Sequence, residues 1–405
     1  MKDVYIFDAI RTPRGKGKPD GKHHTVRPVH LASHLLEEIL KRQNIPSSTI
    51  EDVLLGCVTQ KGEQGGCIAK AAAMQAGYSH SVSGMTVNRF CASGLEAINL
   101  AAARIGCGQD NLLIAGGVES MSRTPIGSDG GALMMDPQTS SKSHYIPQGV
   151  SADLIANLNR YSRRDLDQWA VRSHAKAAHA QDQGYFKNSL IPVKNGLGGS
   201  YLAYDEMVRS STDMETLAKL KPSFGMLAQQ IGFESRALKK YPELEYIEPF
   251  HHPGNSSSIV DGAGIVLLGN LETGKKYGLK PRAKIRSWAN VGTEPTIMLT
   301  GPAPASRKAL EKAELSLEDI DLFEVNEAFA SVVLKFLDEL KVPEDKVNVN
   351  GGAIALGHPL GATGAILMGT VLDELERTDK KMGLITLCIG GGMGIATIIE
   401  RVILN

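Results

Sequence analysis

Two cysteines, one histidine and one asparagine stand in settings that suit chemistry. Cys91 lies in Met85-Thr86-Val87-Asn88-Arg89-Phe90-Cys91-Ala92-Ser93-Gly94-Leu95, where a short apolar run gives way to an alanine-rich segment. The pattern predicts strand, tight turn and helix, with the cysteine at or just before the helix start. A helix dipole and unpaired N–H groups favour a thiolate, so one reading is a nucleophile with a lowered pKa. A small buried hydrophobe is the other. His358 sits among five glycines between Gly351 and Gly364. It can take a proton from a thiol or simply hold a turn, and Pro359 behind it fits a helix start. Cys388 closes an apolar run ahead of Gly390-Gly391-Gly392-Met393-Gly394. The N–H groups of such a nest can line an oxyanion hole, or the cysteine can be an ordinary strand end. A dinucleotide loop is excluded by the glycine spacing and by the apolar run Ile395–Ile399, which stands where a helix is needed. Asn326, in Phe323-Glu324-Val325-Asn326-Glu327-Ala328-Phe329-Ala330, stands where a strand hands over to a helix. Its amide can cap that helix or position a water.

Strands and helices alternate along the segments that must carry these groups. Residues 1–10 read as a strand, with a polar loop from Arg11-Thr12-Pro13 to about His30. Leu31–Lys41 reads as an amphipathic helix, Val53–Val58 as a buried strand, and Gln64–Gly77 as an alanine-rich helix. Asn111–Gly117 is a strand ending in glycines. This order predicts a largely parallel sheet with helices on its faces. Between about Ser122 and Phe250 the texture changes: Gly127–Ser143 has no period, Asp165–Gly184 is a polar helix, and Tyr201–Lys221 reads as loop then short helix. A stretch this long between regular halves reads as an inserted, functional domain lying over the sheet. The regular texture then returns and repeats. Ile50–Leu55 matches Leu317–Leu322, Val87-Asn88 echoes Val347-Asn348, and Leu112–Gly117 echoes Leu384–Gly391, in the same order. A duplicated α/β unit follows.

The 405 residues suffice for two core-sized domains or one large one. Lys+Arg 44 against Asp+Glu 44 gives no electrostatic case for nucleic acid or a membrane surface. Five cysteines with no C-x-x-C spacing argue against a disulfide framework and a zinc site. No leader precedes the strand at Val4-Tyr5-Ile6-Phe7, no run is long enough to span a membrane, and Ile403-Leu404-Asn405 is not a peroxisomal signal. The expectation is a soluble protein of a reducing compartment, the cytoplasm.

Taken together, these segments resemble the thiolase family along essentially the whole chain. The motifs that carry the likeness are Arg11-Thr12-Pro13, Asn88–Leu95, Gly116-Gly117-Val118-Glu119-Ser120-Met121-Ser122, Asn326–Ala330, Gly351–Gly364 and Cys388–Gly394, all in family order. The resemblance implies an α/β thiolase fold: two duplicated βαβαβαββ halves in a five-layered αβαβα core, with an inserted loop domain. It divides the chain into residues 1–121, a loop domain with a CoA-binding surface at 122–250, a CoA loop and return strand at 251–280, and a second half at 281–405. It further implies that Cys91 accepts the acyl group, that His358 activates it, and that Cys388 is the acid/base toward the acetyl-CoA methyl carbon. Asn326 would hold a water that, with His358, forms one oxyanion hole; the N–H groups of Cys91 and Gly390 would form another. Ser257, within Gly254–Gly262, falls at the pantetheine loop's serine, and Met298, Ala328 and Phe329 at positions lining the thioester tunnel. CoA enters as a co-substrate, and neither a metal nor a tightly bound cofactor is implied.

The chemistry fits these residue types. Cleaving a Cα–Cβ bond in a 3-ketoacyl-CoA needs a soft nucleophile that forms a thioester, and a second thiol to protonate the departing carbanion. Two steps through an acyl-enzyme predict ping-pong kinetics. Two departures stand out: His251-His252-Pro253 replaces a common Thr-Ala pair, and Gly225–Phe250 is longer than the usual link. The His pair reads as loop structure rather than metal ligand; the longer link bears on acyl-chain specificity, CoA contacts or a partner surface. Arg89-Phe90 before the nucleophile resembles the degradative, β-oxidation thiolases more than the acetoacetyl-CoA ones that condense. A ketoacyl-synthase-like condensing enzyme and a non-catalytic acyl-CoA-binding module are the alternatives. The family also implies a homodimer or homotetramer, and some relatives join a hydratase/dehydrogenase α-subunit.

Overall fold

The structure, a computed structural model, describes residues 2–194 and 200–403, so the terminal Leu404-Asn405 lies outside the described residues. The first half begins with strand β1 (Tyr5–Arg11) and helix α1 (Pro28–Gln43). It continues through β2 (Asp52–Gly56), α2 (Ile68–Gln75), β3 (Ser83–Val87), α3 (Ser93–Gly106) and β4 (Leu112–Ser120). After the insertion the chain returns as β5 (Val260–Gly269), which lies antiparallel between β1 and β4. The insertion contains helices α4 (Gln148–Asn159) and α5 (Arg163–Asp182). The second half comprises β6 (Ala283–Gly292), α6 (Pro302–Ala313), β7 (Leu322–Val325), α7 (Ala330–Leu340), α8 (Thr363–Arg377), β8 (Met382–Ile389) and β9 (Met393–Arg401).

Strand pairing bears out the repeat. In the first half β3 and β2 are parallel, β2 and β4 are parallel, and β5 joins β4 to β1 by antiparallel pairing. In the second half β7 and β8 are parallel, and β9 joins β8 to β6 by antiparallel pairing. The counterpart of β3 shrinks to one parallel bridge, Phe323 to Val347, at the Val-Asn echo seen in the sequence. Asn348 explains the reduction: its side chain takes the N–H of Val325 and donates to the Val325 carbonyl, so an amide replaces a stretch of ladder. Each half is therefore βαβαβαββ, with one strand nearly lost. Tyr5 and Ile6 of β1 pair with Lys284 and Ala283 of β6, joining the halves into one hydrogen-bonded path.

Packing gives the layers. Ala97, Ile98 and Ala101 of α3 pack with Met368, Val371 and Leu372 of α8 in one core, which strands of both halves cover. Alanines on α3 let the helices lie close, as dense packing demands. The α1 and α2 face packs on the outside of the first sheet, and the α6 and α7 face on the outside of the second. The family's fold, expected from the motifs, is thus the observed architecture.

The insertion is more helical than its composition suggested. Gly127–Ser143 forms two short helices, Ala132–Met135 and Pro137–Lys142, the second capped by Asp136. Gly225–Phe250 holds two, Gly225–Gln230 and Phe233–Lys240. That longer link folds back onto α4. Tyr241 donates to Glu294 at 2.6 Å, Arg236 reaches the Tyr145 carbonyl at 2.7 Å, and Ala237 and Ile247 join the core around α4. Among the described residues, no helix is long and apolar enough to cross a membrane.

Candidate active site

The turn carrying Cys91 is built by its neighbours. Asn88 accepts the Phe90 N–H, and Ser93 Oγ accepts the Arg89 N–H while donating to the Phe90 carbonyl. Phe90 is held at φ 46°. Such a conformation is costly for a bulky side chain and persists only where its surroundings hold it. The turn sets Cys91 two residues ahead of α3, with the residue 5% exposed. Its own N–H, the Gly390 N–H and the Gln148 side chain all favour the thiolate, but burial outweighs them and pushes the thiol up to about 11. The lowered pKa expected from a helix start is therefore not the ligand-free state: desolvation of the charge wins over the dipole.

Asn326, His358 and Cys388 come from the second half. The expectation that Pro359 opens a helix is corrected, because α8 begins at Thr363, one turn later. The intervening turn does the orienting. Thr363 Oγ1 donates to the Pro359 carbonyl at 2.9 Å and so accepts from His358 Nδ1–H at 2.6 Å. Nε2 is left as the lone-pair nitrogen, and it accepts from Asn326 Nδ2 at 3.4 Å. Burial and the Arg14 cation hold His358 down at about 3, so the ring is neutral. Asn326 does not cap α7, whose N-cap is Phe329; its amide is turned to the histidine, and its Oδ1 is buried without a protein partner among the described residues. Cys388, the penultimate residue of β8, is 1% exposed. Burial first, then the coulombic influence of Cys91, raise its thiol far above the usual range. Beyond it Gly391 and Gly392 take φ of 80° and 79°, turning β8 back as β9.

The predicted CoA positions also converge. Ser257 donates its N–H to the Ala328 carbonyl at 2.9 Å, and Ser256 bridges Phe329. Met298, Ala328 and Phe329 share one apolar cluster with Cys388 and the α4 residues Val150 and Leu154. The ring of Phe224, next to the longer link, stands edge-on to Phe329 at 6.0 Å. His251 and His252 each bind a carboxylate, Asp153 at 2.6 Å and Asp167 at 2.7 Å, so the pair ties the loop to α4 and α5.

Three residues near the site escaped sequence reasoning. Glu119 accepts from the N–H groups of Val58, Thr59 and Gly361 and from Gln64, fixing the loop after His358 against the first half. Glu327 accepts from Trp169, Ser173, Asn348 and the Ile354 N–H. Gln148 opens α4 with its amide Nε2 3.1 Å from where a Gly390 Cβ would stand. The carboxylates lay inside quoted motifs and had no periodic signal of their own; Gln148 lay in the aperiodic insertion.

Comparison with known proteins agrees with this geometry. Residues 4–228 match the family model described as thiolase, N-terminal domain, and residues 279–401 the one described as thiolase, C-terminal domain. This chain belongs to the thiolase family. It is an acyltransferase. Among curated thiolases it is 41% identical to a 3-ketoacyl-CoA thiolase of Klebsiella pneumoniae, over 99% of this chain and all of that one. It is 40% identical to the 3-ketoacyl-CoA thiolase of Salmonella typhimurium, with the same coverage. The solved acetyl-CoA acetyltransferase of Bacillus anthracis superposes with a TM-score of 0.85 at 35% identity, covering 99% of each chain.

Proposed function

We propose that this thiolase cleaves 3-ketoacyl-CoA with CoA, giving acetyl-CoA and a shortened acyl-CoA. The observation that carries the reading is the meeting of the two halves at this site: a Cβ on Gly390, two residues after Cys388, would stand 3.5 Å from the ring of Phe90, the residue before Cys91. Cys91 Sγ attacks the 3-keto carbon as its proton passes to His358 Nε2. The N–H groups of Cys91 and Gly390 hold the oxyanion. The Cα–Cβ bond breaks, and the enolate of acetyl-CoA forms against His358 and a water held by Asn326. Cys388 gives its proton to the methyl carbon. CoA then attacks the acyl-enzyme, its thiol proton returning to Cys388, while Cys91 leaves and recovers its proton from His358. All protons balance over the cycle. A neutral resting histidine suits this course, because it gives the proton back readily.

Ser257, Met298, Ala328 and Phe329 line the pantetheine and thioester path in this reading. The domain division at residues 121, 250 and 280, a cytoplasmic setting, and homodimers or homotetramers complete it. Support for assembly comes from β3, which ends its sheet with partly exposed Met85 and Val87 on an open edge. A role in β-oxidation, in company with a hydratase/dehydrogenase subunit, goes with the resemblance of Arg89-Phe90 to the degradative thiolases. Purification of a lone homo-oligomer after co-expression with such a subunit would count against that partnership.

The deciding experiment is CoA-dependent cleavage of 3-ketoacyl-CoA esters from four to sixteen carbons, with Cys91→Ala as control. Activity rising with chain length and absent from the control is the expected result. Activity confined to acetoacetyl-CoA would make the enzyme a condensing acetyltransferase instead, a reading favoured by the Bacillus anthracis neighbour.

A further inference from the structure

A cavity of about 10 Å³ lies between the loop after β1, strand β7 and the start of α8, walled by Arg14, Glu324, Gly357, Thr363 and Ile366. Two of these residues are ionisable and buried, Arg14 at 3% exposure and Glu324 at 4%. The insertion clamps the Arg14 backbone: its N–H donates to Asp205 and its carbonyl accepts the Glu206 N–H, both at 2.9 Å. Arg11 occupies both oxygens of the Asp205 carboxylate, and among the described residues the buried Arg14 Nε has no partner. Glu324 is aimed by strand alternation. Phe323 and Val325 of β7 belong to the outer core and Leu322 to the central one, so Glu324 faces the central layer that holds α8. Among the described residues it pairs with no cation, although it shares the cavity with Arg14.

Two buried polar groups that line one space without meeting are costly unless a polar molecule stands between them. A space of this volume admits one water, which needs about two to four polar partners. Thr363 offers a third. Its Oγ1 donates to the Pro359 carbonyl and accepts from His358 Nδ1–H, which leaves one lone pair free for a water.

We infer that this cavity is a site for one ordered water bridging Arg14, Glu324 and Thr363 Oγ1, and that Arg14 is a positioning residue for His358, its fixed cation resisting positive charge on the ring. The part concerning His358 rests on the base role given to it above. Arg14 is one of the two influences that hold His358 neutral, after burial. The charged groups around Glu324 are Arg14, Lys176, Glu327 and Glu374. Burial and then Glu327 push Glu324 up to about 8, so at pH 7 it is mainly the uncharged acid and Arg14 is the charge that His358 meets.

Two measurements on the whole enzyme test this. A crystal structure that shows ordered waters should hold one in the cavity, within hydrogen-bond distance of Arg14, Glu324 and Thr363. A dry cavity, or Arg14 closed directly onto Glu324, overturns the site. The second measurement is iodoacetamide alkylation of Cys91 at pH 7, followed by peptide mass spectrometry, in Arg14→Met and Arg14→Lys, each checked for native circular dichroism and melting. Without the cation His358 takes the Cys91 proton more readily, so Arg14→Met should react about tenfold faster, the equivalent of about one pKa unit. Arg14→Lys keeps the charge and should stay near the wild-type rate. If Arg14→Met does not fold, Arg14→Gln replaces it with the same expectation. An unmoved rate in the neutral variant overturns the role of Arg14, and an equal rise in Arg14→Lys overturns it in favour of packing. If the wild type cleaves no 3-ketoacyl-CoA while the water is in place and the rate still rises, the reading of the reaction fails and the water and Arg14 assignments stand.

Discussion

At the scale of single residues, the candidate reactive groups stood out because their types are rare and glycines stand close by in each run. Cys91, His358 and Cys388 each stand in a run that bends the backbone, and that signal is local. What was not legible was orientation. Asn326 at a strand-to-helix joint reads equally as a cap, and only the fold turns its amide 3.4 Å from His358 Nε2. That contact predicts a specific defect. Asn326→Ala should lower kcat by about a hundredfold, the loss expected for a donor serving an oxyanion hole, with KM and melting temperature nearly unchanged. Steady-state kinetics with any turned-over 3-ketoacyl-CoA checks it; a KM effect alone would make Asn326 a binding residue. Glu119 stayed hidden for another reason. Its partner Gly361 lies far away in sequence, so no spacing rule connects them.

At the scale of elements, alternation of apolar strand and amphipathic helix revealed both halves, and the Val-Asn echo located the strand that became a single bridge. The insertion was harder. Its helices at 132–142 and 225–240 are short and held by caps and contacts to other segments, not by a periodic face. One such contact crosses the whole assembly of elements. Arg11, at the end of β1, forms a two-pronged ion pair with Asp205 of the insertion, both bonds 2.8 Å, with both groups buried. Removing one partner strands a buried charge, at a cost of about 3–5 kcal/mol. Arg11→Ala should lose stability on that scale and release residues 200–210 to proteolysis before the sheet melts. Limited proteolysis beside urea unfolding decides it, and simultaneous loss of both regions would make the pair part of the global core.

At the scale of the molecule, burial of neutral imidazoles couples stability to acid. His358 is held down at about 3 and His174 at about 4, against about 6.5 in an unfolded chain. Between those limits the unfolded state binds more protons, so their contribution is complete above about pH 6.5 and declines as pH falls toward the folded values. From pH 6.5 to 5 each group should remove about 2 kcal/mol. Denaturant titrations at the two pH values, in wild type and His174→Asn, isolate one of them; an equal slope in the variant would refute the assignment. The same view of the molecule returns to the place where its halves touch. The loop after His358 passes the end of β4 so closely that a Cβ on Gly117 would sit 1.9 Å from the Gly361 carbonyl oxygen, and one on Gly361 would sit 2.7 Å from the carbonyl of Gly56. Main chain opposes main chain there. A clash between side chains can be repaired by shrinking the neighbour, but the peptide unit opposite has nothing to shrink. Those positions are closed to compensatory evolution: a lineage that loses either glycine has no second-site mutation through which to return, and a half transplanted from a relative will dock only if it brings its own glycine to the crossing.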